Sequence, residues 1–211
     1  MGNGTVKEES RTVAAYEKVA VGSAFQVEAT EGKQTPLTIS ADSNLLSHIK
    51  TEVRDKVLYV EIDGSVSTKQ PMKLKLSTPT LKGFEASGAT KVKVHLASAH
   101  DFDLGDSGAS EVSVDGTVRN LTADLSGSSK ADISGRSFGK VTLTLSGASQ
   151  MELGGRAEAL NAELSGASSL TGGLSGKSAQ LELSGASNAK LGKFDAMAKQ
   201  TSGASSVSSG D

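Results

Sequence analysis

A short Ser-Gly-(Ala/Ser)-(Ser/Thr) sequence occurs seven times from residue 87 onward. The copies begin at Ser87, Ser107, Ser126, Ser146, Ser165, Ser184 and Ser202, so neighbouring copies start 18 to 20 residues apart. A unit of this length cannot bury an apolar face by itself, and neighbouring units must therefore stack on one another. The spacing predicts a repeat protein built from coils of about 19 residues.

Apolar and polar residues alternate on both sides of each Ser-Gly core, which indicates β-strands. The residue before the Ser is apolar at Leu125, Leu145, Leu164 and Leu183, and Val92, Val112, Met151 and Leu170 stand five residues after it. A left-handed hexapeptide helix would require a multiple of six, which gaps of 19 and 20 residues break. We therefore predict an all-β fold, a right-handed parallel β-helix.

The Gly of each core falls on the inward-pointing positions of this alternation. We expect it to permit a tight corner, because Gly tolerates a positive φ without a Cβ clash. The flanking Ser hydroxyls are expected to hydrogen-bond to corner backbone groups or to the next coil. The repeat is thus interpreted as architecture, since seven copies of a Ser nucleophile would have no catalytic use.

Composition agrees with a narrow, stacked interior and excludes several kinds of site. Aromatic residues make up only 3% of the chain and there is no Trp. The net charge of −2, without a long run of one sign, argues against a nucleic-acid partner. The absence of Cys excludes disulfides, thiol catalysis and Cys-ligated zinc.

Residues 1–78 lack the repeat but still alternate like strands, and we predict an N-terminal β-rich subdomain that caps one end of the β-helix of residues 79–211. One helical turn is expected within Ala41–Val53, capped by Asp42 or Ser43. The last coil is polar, with Ser209 where earlier coils have Val or Leu. A strand edge of this kind is frayed or covered by a partner, and we expect a homo-oligomer through the C-terminal coil.

The segment Tyr16–Ile62, "YEKVAVGSAFQVEATEGKQTPLTISADSNLLSHIKTEVRDKVLYVEI", resembles a bacterial family, the "putative auto-transporter adhesin, head GIN domain" of Bacteroidetes envelope proteins. The stretch "MKLKLSTPTLKGFEASGATKV", the Ser-Gly-Ala-Ser coils and the opening "GNG" at Gly2–Gly4 fit the same family. The resemblance implies a β-helical fold, export to the cell envelope, and a native form anchored to a membrane through a leader that this sequence lacks.

Few residues suggest chemistry. The acidic stretch "HDFDLGD" contains the candidate ligand-binding residues Asp101, Asp103 and Asp106, of which Asp101 and Asp103 should point to the same side. The other ligands of a calcium loop are missing, so we predict neither a metal site nor a cofactor. Glu163 and Glu182 should stack, with Asp124 in the same column, and we interpret them as a solvated ladder.

The three His residues share no metal-binding spacing, and no catalytic residue is predicted. We therefore expect a non-enzymatic cell-envelope protein, an adhesin or scaffold module that binds a cell-surface glycan or protein. The alternative is a glycan-processing enzyme of the polysaccharide lyase or hydrolase type, which fold analogy alone suggests. Binding to ice or a crystal surface is a third reading, which the mixed charges of the outward positions disfavour.

Overall fold

The computed structural model describes residues 1–210, apart from the side chains of Ala99 and Arg136. These residues form seventeen strands of one continuous sheet and a single turn of 3₁₀ helix. The strands are β1 (Val6–Arg11), β2 (Lys18–Val21), β3 (Phe25–Glu31), β4 (Leu37–Asp42), β5 (Ile49–Arg54), β6 (Val57–Ile62), β7 (Met72–Thr78), β8 (Gly83–Ala86), β9 (Lys91–Asp106), β10 (Glu111–Leu125), β11 (Lys130–Leu145), β12 (Gln150–Leu164), β13 (Ser169–Thr171), β14 (Ser175–Leu183), β15 (Asn188–Leu191), β16 (Phe194–Thr201) and β17 (Ser206–Ser209), and the helix is η1 (Leu46–His48).

The strands from β8 onward wind into a parallel β-solenoid. Strand β9 pairs with β10, β10 with β11 and β11 with β12, all in parallel. The register places Val112 between Val92 and Ala131, which occupy the same position in their own repeats. The solenoid has about seven turns, with coils about 19 residues apart, and this confirms the predicted fold and period. The handedness stays a prediction from the sequence.

The interior of the solenoid consists of columns of identical or similar side chains. Leu125, Leu145, Leu164 and Leu183 lie directly on one another in register. Each of these four residues is at most 3% exposed. Removing a Leu side chain from water contributes roughly 1.5–3 kcal/mol. A column of aliphatic side chains therefore replaces the large aromatic residues that this chain lacks.

The fourth residue of each repeat, and not the Gly, points inward at the corner. Ser129 and Ser149 are fully buried, and their hydroxyls donate to the carbonyl oxygens of Ser126 and Ser146 at 2.7 and 2.6 Å. The same bond forms at Thr90, Ser110, Ser168, Ser187 and Ser205. The Gly residues are exposed, so their predicted inward position is wrong. The residues two places before and after the Gly, such as Leu125 and Ser129, keep the inward parity, but the turn at the corner moves the Gly alone out to the surface.

Two physical constraints require Gly at the second position of the corner. Gly147 has a φ of +71°, in the left-handed region where side chains cost energy. Stacking adds the second constraint, because a Cβ on Gly147 would lie 2.5 Å from the carbonyl oxygen of Gly127 in the preceding coil. That oxygen accepts a hydrogen bond from the N–H of Ala148 at 2.7 Å. The corners can therefore stack only where no side chain separates them.

The N-terminal strands do not stack in chain order. Strand β2 pairs in parallel with both β6 and β8, and β3 pairs in parallel with both β7 and β9. Strands β2 and β3 thus each lie between two strands that come later in the chain. Hydrogen bonds between β3 and β9 cross the predicted boundary at residue 78, and the division into two subdomains stays a prediction.

Antiparallel strands close the N-terminal end of the stack, which confirms the predicted cap. Strand β4 pairs antiparallel with both β1 and β7, and β5 pairs antiparallel with β6. The helical turn η1 lies within the predicted segment, and Leu45, Leu46 and Ile49 are buried as expected. The turn has no side-chain cap, however, because its N-cap residue is Leu45.

The Asp42 side chain serves a different purpose from the predicted cap. It is fully buried, and its carboxylate accepts hydrogen bonds from the N–H groups of Gly4 and Lys69 at 2.8 and 3.0 Å. Gly2 packs so closely against this carboxylate that any Cβ there would overlap it. The "GNG" opening and the "SADSN" stretch are therefore two halves of one structural joint.

The C-terminal coil ends the apolar columns with polar residues. Lys199, Thr201 and Ser209 lie in register with Leu181, Leu183 and Leu191. The outer edges of β16 and β17 pair with no strand of the described chain. A polar terminal coil is a usual way to end a solenoid. The homo-oligomer predicted through this coil stays a prediction.

Candidate binding surface

The outward side chains of β3, β7 and β9 form a basic surface. Lys73 and Lys91 lie in register on either side of Gln26, and Lys75 and Lys93 lie on either side of Glu28. We call the surface formed by these four lysines, all exposed, the lysine face. The lysine face exists because β3 lies between β7 and β9. Its lysines therefore come from two strands that are not consecutive in the chain.

A shallow groove of about 400 Å³ runs between these lysines. Two glutamates partly neutralise it, since Lys75 pairs with Glu28 at 3.1 Å and Lys91 pairs with Glu111 at 3.2 Å. Both pairs are solvent-exposed, and such pairs typically contribute only about 0–1 kcal/mol. Neither Lys73 nor Lys93 forms an ion pair within the described part of the chain, so the groove keeps a positive character.

An acidic column lies on a different side of the solenoid. It runs from Glu85 through Gly105, Asp124, Thr144, Glu163 and Glu182, each residue in register with the next. Glu163 and Glu182 stand one above the other, as the sequence predicted, and a groove of about 350 Å³ lies beside them. Within residues 1–210 no basic side chain pairs with these four carboxylates. This arrangement is that of a solvated ladder of acids.

The three candidate acids of "HDFDLGD" do not share one site. Asp103 pairs with Lys18 at 2.7 Å, and Asp101 accepts a hydrogen bond from the Nδ2 of Asn120 at 2.9 Å. Both lie on the outer surface, as expected from their alternation. Asp106 is instead 3% exposed and points into the core. Asp106 lies three positions after Asp103, and an odd separation along a strand already predicts opposite sides, a signal that the sequence interpretation overlooked.

Asp106 occupies a column that is otherwise apolar, between Ala86 and Leu125. Burial raises the pKa of Asp106 to about 6, and hydrogen bonds, the foremost from Ser110, limit the rise. The Ser110 hydroxyl faces both the Oδ1 of Asp106 and the carbonyl oxygen of Ser107. Its single proton cannot serve both acceptors. A protonated Asp106 could donate to the Ser110 hydroxyl, whose own proton would then go to the Ser107 carbonyl.

A second buried acid, Glu31, was missed by sequence reasoning. Its Oε2 accepts hydrogen bonds from the N–H groups of Ala97 and Ser98, each at 2.8 Å, and its Oε1 lies 2.7 Å from the Nε2 of His100. Burial acts to raise the pKa of Glu31, but the bonds from Ser98, His100 and Ala97 outweigh it and lower that pKa. The available signal was an acid at an inward position of the alternating strand β3.

The Glu31–His100 pair fixes an irregular corner of the first Ser-Gly coil to the coil before it. His95, five residues earlier, contacts Asp115 in the coil that follows. Both His residues therefore pair with single carboxylates at structural contacts. Within residues 1–210 no group of three or more His, Cys, Asp or Glu side chains could hold a metal ion.

A family model described as "Putative auto-transporter adhesin, head GIN domain" matches residues 15–138. The chain belongs to this family. The matched region contains the inserted strands, the lysine face and the acids of "HDFDLGD". No curated protein matches the sequence.

Solved structures from Bacteroides and Parabacteroides share this fold. A putative adhesin from Bacteroides fragilis is 20% identical, with a TM-score of 0.89 over 99% of this chain and 98% of that one. A putative lipid binding protein from Parabacteroides distasonis is 13% identical, with a TM-score of 0.72 over 100% and 98% of the two chains. A putative adhesin from the same species is 18% identical, with a TM-score of 0.70 over 99% and 98%. At these identities the likeness shows a shared fold.

The described residues include no helix long and apolar enough to span a bilayer.

Proposed function

We propose that this chain is a non-enzymatic module of the cell envelope that binds a glycan or protein of a cell surface through its outward faces. The observation that supports the proposal most is the arrangement of its outward side chains. They form long, regular columns on parallel strands, which suit an extended partner better than a small substrate.

The placement of reactive groups agrees with a binding role. A glycosidase or lyase needs an acid and a second carboxylate or base that face one substrate. Here Asp106 and Glu31 are buried and Asp103 is paired with Lys18. Glu163 and Glu182 do face one groove, but both are exposed, and no hydrogen bond or ion pair among the described residues gives one of them a different role from the other. No specific observation favours the glycan-processing alternative.

Export to the envelope follows from the family rather than from any residue of the site. Adhesins act outside the cytoplasm, and a chain without Cys can fold there independently of disulfide formation. The native protein is proposed to be exported to the envelope and to remain attached to a membrane.

Binding of the labelled, folded chain to a glycan array and to intact Bacteroides cells tests this proposal. We expect saturable binding that is strongly reduced by substitutions on one outward face. Two sets of variants cover the faces, one with the four lysines changed to Gln and one with Glu163→Gln and Glu182→Gln. A chain that retains its circular dichroism spectrum and binds neither array glycans nor cells would contradict the proposal.

A further inference from the structure

We propose that the lysine face binds a linear anionic polysaccharide that carries carboxylate or sulfate groups along its length. This inference rests on the proposed function, because it assigns a ligand class to one outward face of the same module.

The lysines form a regular lattice on a rigid surface. Lys73 and Lys91 are separated by one strand, as are Lys75 and Lys93, so the members of each pair lie about 9.6 Å apart across the sheet. Along β7 and along β9 the two lysines are two residues apart, or about 6.6 Å. The result is two parallel rows that follow the solenoid axis with the groove between them, one formed by Lys73, Gln26 and Lys91 and the other by Lys75, Glu28 and Lys93. A linear polymer lying in this groove would contact both rows.

The rows continue beyond the four lysines with groups that hydrogen-bond to sugars. Gln26 lies within the first row and Ser113 extends the second, and both line the groove. Lys130 continues the first row beyond Glu111. The two rows together carry five lysines against the carboxylates of Glu28, Glu111 and Asp132. This net positive surface of ammonium, amide and hydroxyl groups suits a polymer that alternates anionic groups with hydroxyls.

The existing ion pairs present little competition for such a ligand. Lys75 and Glu28 are 63% and 60% exposed, and Lys91 and Glu111 are 69% and 53% exposed. Exposed pairs are weak, so both lysines can turn toward a polyanion at little cost. The net charge of −2 is spread over the whole chain, and beyond the screening length of about 8 Å in physiological salt it has little effect on a ligand at the lysine face.

Other polyanions fit the lysine face less well. None of the residues that line the groove is aromatic or Arg, which leaves nothing on which nucleic-acid bases would stack. The apolar residues beneath it, Val27, Leu74 and Val92, are at most 2% exposed and cannot insert into a lipid surface. The remaining match is a hydrated, linear polymer that binds through charge and hydrogen bonds.

The test measures equilibrium binding of the full chain to chondroitin sulfate and to polygalacturonate, with neutral dextran as the reference polymer. The variant K73Q/K75Q/K91Q/K93Q removes the lysine face. The control K140Q/K177Q/K193Q/K199Q removes the same number of exposed lysines elsewhere and produces the same net charge. Thermal melts of both variants establish that they are folded.

We expect the wild-type chain to bind at least one of the two acidic polymers, with an affinity that falls as salt rises, and to ignore dextran. The face variant should lose affinity by about tenfold or more, and the control by less than about threefold. Equal losses in the two variants, or no binding of either acidic polymer, would overturn the proposal.

Tighter binding of DNA or of phosphatidylserine vesicles through the same lysines would also overturn the assignment to a polysaccharide. If the acidic polymers fail while neutral glycans or cells are bound through another face, the proposed function stands and only this inference falls.

Discussion

The Gly at each corner must adopt a positive φ and must also leave room for the backbone of the preceding coil. Gly173 allows these two demands to be separated, because its φ is +72° but no atom lies within 4 Å of a Cβ placed there. Gly147 has nearly the same φ, with the Gly127 carbonyl 2.5 Å from the added Cβ.

Gly173→Ala should therefore cost only the strain of a left-handed Ala, about 1 kcal/mol. Gly147→Ala should cost at least about 2 kcal/mol more, because the stacked corners must move apart and weaken the Ala148 to Gly127 hydrogen bond. Urea unfolding of the two variants measures the difference. Equal destabilisation would show that the corner Gly is required only for its φ.

Asp106 makes stability depend on pH in a direction unusual for an acid. Because its folded-state pKa of about 6 lies above the ordinary value of 3.8, the stabilisation is fully present below pH 3.8 and is lost as the pH rises through 6. The lowered pKa of Glu31 acts oppositely, giving stability that is present above pH 4.5 and lost as the pH falls through the lowered value. The two effects therefore occupy different pH ranges.

Between pH 5 and pH 8 we expect the wild-type chain to lose about 1–2 kcal/mol of unfolding free energy through Asp106. Asp106→Asn should remove this loss and be the more stable protein at pH 8. Asp124→Asn, an exposed acid in the neighbouring coil, provides the control and should leave the pH dependence unchanged. A wild-type profile that Asp106→Asn does not alter would contradict a raised pKa at this position.

At the scale of elements, the N-terminal cap depends on a joint between distant segments. Asp42 connects the end of β4 to the N–H groups of Gly4 and Lys69, so three stretches of chain meet at one buried carboxylate. Arg11 adds a second link, because its Nη2 donates to the carbonyl oxygen of Leu46 in η1 at 2.8 Å. The cap is thus held by polar contacts that strand pairing alone would not provide.

Asp42→Ala should destabilise the chain by about 2–4 kcal/mol, since it removes both hydrogen bonds of a fully buried carboxyl group and leaves a cavity in its place. The control is Asp63→Ala, which removes an exposed partner of Lys50 and should cost less than about 1 kcal/mol. Chemical denaturation gives both values, and hydrogen exchange at the Gly4 and Lys69 amides locates the effect. Similar losses in the two variants would argue against a structural role for the joint.

The strands of the repeats could be predicted because their period repeats seven times and each inward Leu column appears in the alignment of copies. The stacking order of β2 and β3 could not, because pairing with β6, β7, β8 and β9 depends on contacts between distant segments. The lysine face was missed for the same reason. Alternation in "MKLKL" and "KVKV" places each Lys outward, but only the inserted β3 brings the four together. The buried positions of Asp106 and Glu31 were available from strand parity.

At the scale of the whole molecule, the two ends of the solenoid differ. The N-terminal end is closed by antiparallel strands, whereas the C-terminal end relies on Lys199, Thr201 and Ser209 in the apolar columns. A charged side chain on an inward position of an edge strand discourages another strand from adding there. The polar side chains at the C-terminal end therefore discourage further strands from adding to the solenoid.

The triple variant K199L/T201L/S209L should associate end to end, because it continues the apolar columns to an open edge. The matched variant A198L/Q200L/S208L places three leucines on outward positions of the same strands and should associate more weakly. Light scattering coupled to size-exclusion chromatography measures both masses. The same mass as wild type in the inward variant would contradict a role for these residues in protecting the edge.

If the proposed function is correct, the solenoid binds a surface polymer and does not cleave its glycosidic bonds. The test incubates the chain with whichever acidic polymer it binds, chondroitin sulfate or polygalacturonate, and records both the bound fraction and the polymer's length. We expect saturable retention of polymer at its original length, with no new reducing ends and no unsaturated products. Shortened polymer whose formation is abolished by Glu163→Gln or Asp101→Asn would contradict the proposed function and identify the chain as an enzyme.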